Sequence, residues 1–260
     1  MTSCYLITGA SAGLGAGFAA RLAADGHDLV LVARRADRLE ALAASLRERH
    51  GVRVSVIVSD LTEAGAVAQL MVDIERQGIA VTHLVNNAGF GLRGGFADLD
   101  GPSQARMIDL NCRVPVELCH AVLPAMLASG RGGILNVAST AAFQPGPWMA
   151  VYYATKAFLL SFSEGLHEEV RGRGVSIAAL CPGPTRTEFF EVAEMTDSAL
   201  SRFLAGEPGK VVADGLAALN ANRAVAVSGR LNAALAGSMR FTPRRVARTI
   251  AGRLQRPGGG

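Results

Sequence analysis

Three side chains in the middle of the chain have the types and spacing that proton transfer to an oxygen atom requires. Tyr152 and Lys156 stand four residues apart, which on a helix places both side chains on one face. A phenol with its ordinary pKa of about 10 exchanges protons poorly at neutral pH, and a neighbouring ammonium group stabilises the phenolate form. Ser139 precedes this pair and offers a hydroxyl to the reacting oxygen. Tyr153 lacks such a lysine, since Ala157 stands four residues after it, so we assign the acid–base role to Tyr152.

A glycine-rich turn near the start of the chain has the form of a phosphate-binding loop. Gly9, Gly13 and Gly15 follow a short apolar run and precede a helical pattern. Glycines permit a tight turn and close approach of the backbone, and a helix N-terminus offers unpaired N–H groups to a pyrophosphate. The alternative is a tight turn between a strand and a helix that binds no ligand.

Two arginines, Arg34 and Arg35, follow the second apolar run, where an NAD-binding protein would carry an acid that holds the ribose 2′-hydroxyl. An acid would repel a 2′-phosphate, whereas a guanidinium group can pair with it through two hydrogen bonds. The pattern therefore favours NADP(H) over NAD(H), with Arg34 as the first choice for this contact and with Arg35 and Ser11 nearby. The alternative is a solvated arginine pair at the start of a helix.

Short apolar runs alternate with longer Ala- and Leu-rich segments, which predicts a parallel sheet with helices on both faces. We expect a single doubly wound, Rossmann-type α/β domain over residues 1–260. The seven expected strands are Cys4 to Ile7, Leu29 to Ala33, Arg53 to Val58, His83 to Asn86, Gly133 to Val137, Ser176 to Leu180 and Ala224 to Val227. The expected helices are Gly13 to Asp25, Ala36 to His50, Ala64 to Gln77, Ser103 to Ser129, Tyr152 to Arg171 and Val211 to Asn220.

The motifs fall directly after these strands and resemble those of the short-chain dehydrogenase/reductase family. The spacing of Gly9, Gly13 and Gly15 differs from GxGxxG and resembles the family's TGxxxGxG turn. The segment from Asn86 to Gly89 resembles its NNAG motif, and the segment from Pro182 to Thr187 resembles its PG motif. The matches cover about 70% of the chain, and two further stretches resemble the bacterial branch of broadly annotated short-chain oxidoreductases: 28–35 and 107–111.

The resemblance implies a site residue by residue. Its catalytic members would be Asn111, Ser139, Tyr152 and Lys156. Its cofactor-binding members would be Gly9, Ser11, Gly13, Leu14, Gly15, Arg34, Arg35, Asp60, Leu61, Asn87, Ala88, Gly89, Tyr152, Lys156, Pro182, Gly183, Thr185 and Thr187. Asp60 would meet the adenine amino group, or cap the next helix, and Thr187 would hold the nicotinamide carboxamide. Asn111 would support a water-linked proton relay to the lysine and satisfy an irregularity of its helix.

The implied activity is hydride transfer between NADP(H) and a carbonyl group or secondary alcohol of an apolar small molecule. Tyr152 would give or take the proton, and Lys156 would lower the pKa of Tyr152 and bind the nicotinamide ribose. A catalytically silent NADP(H)-binding regulator or scaffold is the alternative, although it would not need Ser139, Tyr152 and Lys156 together. A sugar-nucleotide epimerase or dehydratase of the same superfamily would usually need a longer C-terminal domain.

Substrate choice is expected in residues 90–96, 143–149 and 188–210, because these follow strand ends. Within the single domain we expect a substrate-loop region over 187–222 and a C-terminal helical extension over 229–260. The residues that suggest an apolar pocket are Phe90, Phe143, Trp148, Phe189, Phe190 and Met195. The alternative for them is core or lid packing.

Composition excludes several other classes of protein. The formal net charge is +4, from 26 Lys plus Arg against 22 Asp plus Glu, and this bias is too mild and scattered for nucleic-acid binding. Cys4, Cys112, Cys119 and Cys181 lack CxxC or metal-ligand spacing, so we expect buried or half-buried thiols and no metal site. We find no secretory signal and no membrane-spanning segment, and we expect a cytoplasmic protein. The resemblance also implies a homodimer or homotetramer.

A last helix is predicted after Thr242 and Pro243, which resemble a helix cap and its first residue. Val246, Ile250 and Leu254 recur at four-residue spacing, with arginines around them. The helix would pack on its own domain or on a partner subunit. A basic amphipathic helix touching an anionic membrane is the alternative.

Overall fold

A computed structural model of the protein describes residues 3–185 and 206–256. Its centre is a sheet of seven parallel strands in the order β3-β2-β1-β4-β5-β6-β7. The strands are β1 (Cys4–Thr8), β2 (Asp28–Ala33), β3 (Val54–Val58), β4 (His83–Asn86), β5 (Gly132–Val137), β6 (Val175–Cys181) and β7 (Val225–Val227). The seven predicted strands are therefore confirmed to within one residue at each end.

Helices cover both faces of this sheet. They are α1 (Gly13–Ala24), α2 (Ala36–His50), α3 (Ala66–Arg76), α4 (Gly101–Ile108), α5 (Val114–Ser129), α6 (Ala150–Glu169), α7 (Pro208–Asn220), α8 (Arg230–Ser238) and α9 (Arg244–Gln255). The helix predicted from Val211 begins three residues earlier, because Pro208 is well suited to a first helical turn. Within the described ranges, no helix combines the length and the apolar character needed to cross a bilayer.

The strands are apolar on both faces because both faces are covered. Ile7 packs with Phe18 of α1 on one side, and Leu6 packs with Leu118 of α5 on the other. All four side chains are fully buried, and burial of a side chain of this size stabilises a fold by about 1.5–3 kcal/mol. The cysteines follow the prediction: Cys119 and Cys181 are buried, and Cys4 and Cys112 are half-buried free thiols.

The order of the strands creates the crevice in which the site lies. From β1 the chain proceeds outward to β2 and β3, and it then returns so that β4 pairs with the opposite side of β1. The loops after β1 and β4 therefore run to opposite faces of the sheet. In open α/β sheets such a reversal leaves a ligand-sized gap beyond the carboxyl ends of the strands.

The segment predicted as one helix from Ser103 to Ser129 is helical from Gly101 to Ser129, with the expected irregularity at Asn111. A π-helical turn, Asp109–Arg113, separates α4 from α5. Pro115 has no N–H and cannot make the α-helical hydrogen bond to the carbonyl of Asn111. The backbone irregularity therefore lies at the asparagine for which the sequence predicted a proton-relay role.

Two helices, α8 and α9, occupy the predicted C-terminal extension, but α9 turns a different face inward than its apolar spacing suggested. Val246, Ile250 and Leu254 are exposed, whereas Ala247, Ala251 and Gln255 are buried. Small residues, Ala247 and Ala251, occupy most of the inward face of α9 because the helix backbone lies close to the loop that contains Pro147. A Cβ added at Gly252 would lie only 3.4 Å from the Pro147 ring.

Candidate active site

The glycine-rich turn after β1 is held against the loop after β4. The Asn87 side chain donates to the carbonyls of Thr8 at 2.9 Å and Gly9 at 3.3 Å. Gly9 has a positive φ of 66°, and a Cβ at Gly15 would collide with the carbonyl oxygen of Gly9. The turn is thus packed as tightly as a cradle for phosphate requires. Ala12, the N-cap residue of α1, makes no side-chain hydrogen bond to the helix. The first N–H groups of α1 are therefore left without a side-chain cap, on the side of the cavity.

The residues predicted to read the 2′-phosphate lie together at this end of the cavity. Arg35 reaches back over the turn and donates from Nε and Nη2 to Ser11 Oγ, at 3.2 and 3.1 Å. Arg34 is largely exposed, and its Nη1 lies 3.6 Å from Oδ2 of Asp60. Two guanidinium groups therefore flank one opening of the crevice, where they could pair with an anion.

Asp60 has a local role that differs from the helix cap considered for it. Its Oδ1 accepts hydrogen bonds from the backbone N–H of Thr62 at 3.0 Å and from the Thr62 hydroxyl at 2.8 Å. Burial alone would raise the pKa of Asp60, but these bonds and Arg34 hold it below its ordinary value. Helix α3 begins only at Ala66, so Asp60 shapes the loop and does not cap that helix.

The loop after β4 has the structural role expected for it. Thr8 Oγ1 accepts hydrogen bonds from the backbone N–H groups of Asn87 and Ala88, both at 3.0 Å. Asn86 donates to Asn136 of β5 at 2.8 Å. These bonds join the carboxyl ends of β1, β4 and β5. A Cβ at Gly89 would lie 2.9 Å from Oδ1 of Asn111, so only glycine leaves room for the π turn.

Asn111 uses its whole side chain to connect three segments. Its amide donates to the carbonyl of Phe90 and to the hydroxyl of Thr155, both at 3.0 Å, and its Oδ1 accepts from the Phe90 N–H at 3.2 Å. The side chain is buried. Asn111 therefore fixes the loop after β4 to α6 one residue before Lys156.

Helix α6 brings Tyr152 and Lys156 under the carboxyl end of β5. Lys156 Nζ donates to the carbonyl of Val137 at 2.8 Å and lies 5.8 Å from the centre of the Tyr152 ring. The Tyr152 hydroxyl is hydrogen-bonded to Ser139, whose Oγ also accepts from the backbone N–H of Ala141 at 3.1 Å. The three predicted side chains are thus adjacent, which is the arrangement that acid–base chemistry at one oxygen needs.

Burial controls the charge of this pair. Burial raises the pKa of Tyr152 well above its ordinary value, and the hydrogen bond from Ser139 offsets this only in part. The lowering of this pKa by Lys156 stays a prediction. Burial also lowers the pKa of Lys156 to about 8, so at neutral pH the lysine is mostly charged and the phenol keeps its proton.

A single cavity of about 780 Å³ connects the two ends of the site. The predicted residues that border it are Gly9, Ser11, Gly13, Leu14, Arg34, Arg35, Asp60, Leu61, Asn87, Ala88, Gly89, Ser139, Tyr152, Lys156, Pro182, Gly183 and Thr185. Gly15 and Asn111 lie behind this lining and shape it. Thr187 falls outside the described residues, as do Phe189, Phe190 and Met195.

Of the other residues predicted to line the substrate pocket, some border the cavity and others do not. Phe90 and Met149 border the cavity, whereas Phe143 packs with Ala138 and Leu160 and does not border it. Trp148 does not border the cavity. Its indole Nε1 instead donates to the carbonyl of Gly252 in α9, at 3.1 Å.

Two further polar lining residues are Gln144, which lies within the predicted segment 143–149, and Gln255, which was not predicted. Both border the cavity beside Tyr153, and Gln255 Nε2 donates to the Tyr153 hydroxyl at 2.8 Å. Gln255 stands one hundred and two residues after Tyr153. Gln255 shares an i, i+4, i+8 face with Ala247 and Ala251, but this spacing does not indicate a contact with Tyr153.

Comparison with known proteins agrees with this geometry. The family model for short chain dehydrogenase matches residues 3–213. Sulfoacetaldehyde reductase 2 from Chromohalobacter salexigens is 37% identical over 221 residues, which are 84% of this chain and 87% of that protein. A short-chain dehydrogenase from Sphingobium yanoikuyae, solved in complex with NADPH, is 36% identical over 93% of this chain and 96% of its own, with a TM-score of 0.81.

A second solved structure is the bulky-bulky ketone specific alcohol dehydrogenase from Comamonas testosteroni. It is 32% identical, with a TM-score of 0.77, over 93% of this chain and 95% of its own. The family match covers most of the chain, and it includes strands β1 to β6, the glycine-rich turn and the Ser139, Tyr152 and Lys156 cluster. The chain therefore belongs to the short-chain dehydrogenase family, whose members are oxidoreductases.

Proposed function

We propose that this protein is an NADP(H)-dependent oxidoreductase that interconverts a carbonyl group and a secondary alcohol. The observation that carries the proposal is the convergence of Ser139, Tyr152 and Lys156 on one end of a cavity. The other end of that cavity has a glycine cradle and two guanidinium groups. A dinucleotide has the length and the charge distribution to join these two ends.

The residues present fit a nicotinamide cofactor, since a side chain at Gly15 would collide with the Gly9 carbonyl and disrupt the tight turn that the pyrophosphate needs. When bound, the nicotinamide supplies a hydride to the carbonyl carbon. Ser139 holds the carbonyl oxygen, and Tyr152 donates its phenolic proton to that oxygen, which completes the alcohol and leaves a phenolate. The charged Lys156 stabilises the phenolate until the proton is replaced through water near Asn111.

The preference for NADP(H) rests on Arg34 and Arg35. No acid stands at these positions to hold a ribose 2′-hydroxyl, and Arg35 is already folded over Ser11 at the phosphate turn. Guanidinium groups bind phosphate through paired hydrogen bonds. The relative solved with NADPH supports the same preference.

We propose a substrate with an apolar body. Phe90, Leu92 and Met149 border the cavity and pack in one cluster with Tyr152 and Tyr153. Apolar walls around a few polar groups are typical of small-molecule sites. The relative named for bulky ketones agrees with this choice.

We also propose a homo-oligomer that forms through α5 and α6. Phe158 of α6 is 44% exposed and stacks on Phe162, with ring centroids 5.9 Å apart. Paired aromatic rings on an outward helix face are typical of protein interfaces.

The test is oxidation of NADPH and of NADH against a panel of aldehydes, ketones and diketones, with wild-type protein and Tyr152→Phe. We expect turnover with NADPH, and a kcat/KM lower by about two to four orders of magnitude in the variant, because the proton donor is lost. Tyr5→Phe is the matched control, since Tyr5 is buried against His83 away from the cavity. It should retain turnover.

A kcat/KM in Tyr152→Phe close to that of wild-type protein would contradict the assigned acid–base role. A faster reaction with NADH than with NADPH would contradict the cofactor preference. Binding of NADPH without turnover of any compound would favour the silent regulator considered from the sequence.

A further inference from the structure

The last part of the chain carries a charge opposite to that of the rest. Residues 215–260 contain eight arginines and no lysine, aspartate or glutamate. Residues 1–214 contain 18 Lys plus Arg against 22 Asp plus Glu, so their formal net charge is −4. The mild net charge of the whole chain therefore conceals a strongly basic C-terminal segment. Such asymmetry within one chain is typical of proteins that contact an anionic surface.

The arginines of this segment are all exposed, and among residues 3–185 and 206–256 none of them forms an ion pair. Elsewhere on the surface, Arg21, Arg53 and Arg171 pair with neighbouring carboxylates. The C-terminal arginines are Arg223, Arg230, Arg240, Arg244, Arg245, Arg248, Arg253 and Arg256. No carboxylate of the described residues neutralises their charge.

Helix α9 presents its large apolar side chains to solvent beside these arginines. Val246, Ile250 and Leu254, which we call the apolar stripe, follow one another at four-residue intervals, and each is about half exposed. Arg253, seven residues after Val246, lies beside the stripe on the same helix surface. The face of α9 that packs on the domain is a different one, made mostly of alanine. Packing on its own domain therefore does not explain the stripe.

Helix α8 and the turn after it extend this exposed apolar surface. No residue of α8 is buried, and its Leu231 and Leu235, one turn apart, are both exposed, as is Phe241 between the two helices. Of the eleven large apolar side chains that are exposed in the described residues, six lie between positions 231 and 254. Single exposed apolar residues are ordinary, whereas a concentration of them marks a surface that binds a partner.

An anionic bilayer matches both the charge and the apolar side chains, whereas other partners match one of the two. Nucleic acid would pair with the arginines, but its phosphates offer the apolar stripe no apolar contact. A second copy docked through the same face would bring the arginines of one copy toward those of the other, with no carboxylate in 215–260 to pair with them. A bilayer offers anionic headgroups to the arginines and acyl chains to the stripe.

We propose that α9, together with α8 and Phe241, docks this protein on the surface of an anionic membrane. Helix α9 lies in the plane of the interface, with the apolar stripe at the level of the acyl chains and the C-terminal arginines among the headgroups. The opposite face of α9 borders the cavity at Gln255. Docking therefore brings the cavity to roughly one helix diameter, about 10 Å, from the membrane surface. This inference goes beyond the proposed reaction and does not depend on it.

The test is co-sedimentation of the full chain with vesicles of phosphatidylcholine alone and of phosphatidylcholine mixed with phosphatidylserine. The measured quantity is the partition coefficient between vesicles and water. Wild-type protein should bind the mixed vesicles at about 0.1 M salt and should bind pure phosphatidylcholine much less. Binding should weaken at about 1 M salt, because the screening length falls from about 10 Å to about 3 Å.

Two kinds of variant separate the charge from the apolar contact. Arg245→Gln and Arg248→Gln should each lower the partition coefficient by about fivefold, because each removes one charge near an anionic surface. Ile250→Ser, which leaves the charge unchanged, should lower it by about tenfold or more, because an apolar side chain no longer enters the bilayer. The matched controls are Arg49→Gln and Val72→Ser, which alter exposed side chains of α2 and α3 and should bind as wild-type protein does.

All of these side chains are exposed, so the variants should keep the wild-type midpoint of thermal unfolding, measured by circular dichroism. Absence of wild-type binding to the mixed vesicles at about 0.1 M salt would overturn the proposal. Binding that the arginine variants reduce but Ile250→Ser does not would also overturn it, since that contact is purely electrostatic.

Two further outcomes would assign the surface to another partner. If wild-type protein ignores the vesicles and Ile250→Ser lowers the mass in sedimentation velocity, the apolar stripe belongs to an interface between subunits. If wild-type protein binds duplex DNA more tightly than the mixed vesicles, the C-terminal arginines serve nucleic acid. Either result would refute membrane docking.

Discussion

Tyr152 and Lys156 show how burial prepares a protonation state for reduction. The phenol keeps its proton at neutral pH because its pKa is raised, so it is ready to donate. The lysine, with a pKa of about 8, carries its charge at pH 7 and loses it above pH 8. Reduction needs the phenol as a donor and the ammonium group to stabilise the phenolate that remains. In the proposed reaction, Lys156 would therefore set the alkaline limit.

We predict that kcat/KM for carbonyl reduction falls as the pH rises through about 8, because Lys156 then becomes neutral. The measurement is a pH profile of kcat/KM for wild-type protein and for Lys156→Arg. An arginine stays protonated throughout this range, so the activity that remains in the variant should lack the alkaline decrease. The same decrease in both proteins would assign it to another group.

The residues of this centre were predictable because their spacing is local, whereas Gln255 was not. Tyr152 and Lys156 are one helical turn apart, and Ser139 precedes them by one short loop. Gln255 meets Tyr153 only after the whole sheet has been completed. A lone glutamine near the end of a chain is unremarkable until its neighbours in space are known.

At the scale of the elements, apolar periodicity located the strands but did not identify the face of α9 that packs on its own domain. Val246, Ile250 and Leu254 have the spacing of a buried stripe, yet each is about half exposed. Close packing on Pro147 selects small side chains instead, and periodicity of large residues does not detect such a face. The sequence predicted a helix irregularity at Asn111 but not its type, since the π turn depends on Pro115 and on distant hydrogen bonds of Asn111.

One close approach between elements gives a test of stability. Gly174, just before β6, has a positive φ of 77°, and an added Cβ would collide with the carbonyl oxygen of Gly130 at the end of α5. We predict that Gly174→Ala lowers the free energy of unfolding by about 2–4 kcal/mol, from backbone strain and from this collision. The measurement is urea denaturation.

Gly172 provides the control for that experiment. It has a nearly equal φ of 74°, but no atom lies within 4 Å of its Cβ position. Gly172→Ala should therefore show only the backbone cost of about 1–2 kcal/mol. Equal losses in the two variants would mean that the contact with Gly130 has no importance.

At the scale of the whole molecule, the alternation of strands and helices predicted the fold. The same alternation does not predict how subunits associate. The proposed homo-oligomer depends on which surface of α6 meets another subunit. Phe158 is the exposed aromatic residue of that helix, and a charge there would oppose burial at an interface.

We predict that Phe158→Glu shifts the protein from a dimer or tetramer toward the monomer in sedimentation velocity. Phe241→Glu is the control, because Phe241 is even more exposed, at 86%, but lies between α8 and α9. A monomeric wild-type protein, or an unchanged mass in Phe158→Glu, would contradict the proposed interface.

The position of β1 also affects the chain while it is being synthesised. The first three strands emerge together and can pair as β3-β2-β1, but β4, which covers the other side of β1, begins only at His83. During that interval the future centre of the sheet is an open edge, with unpaired N–H and C=O groups beside the apolar Leu6 and Ile7. The nascent chain is then most prone to pair with another chain, and the arrival of β4 ends that risk.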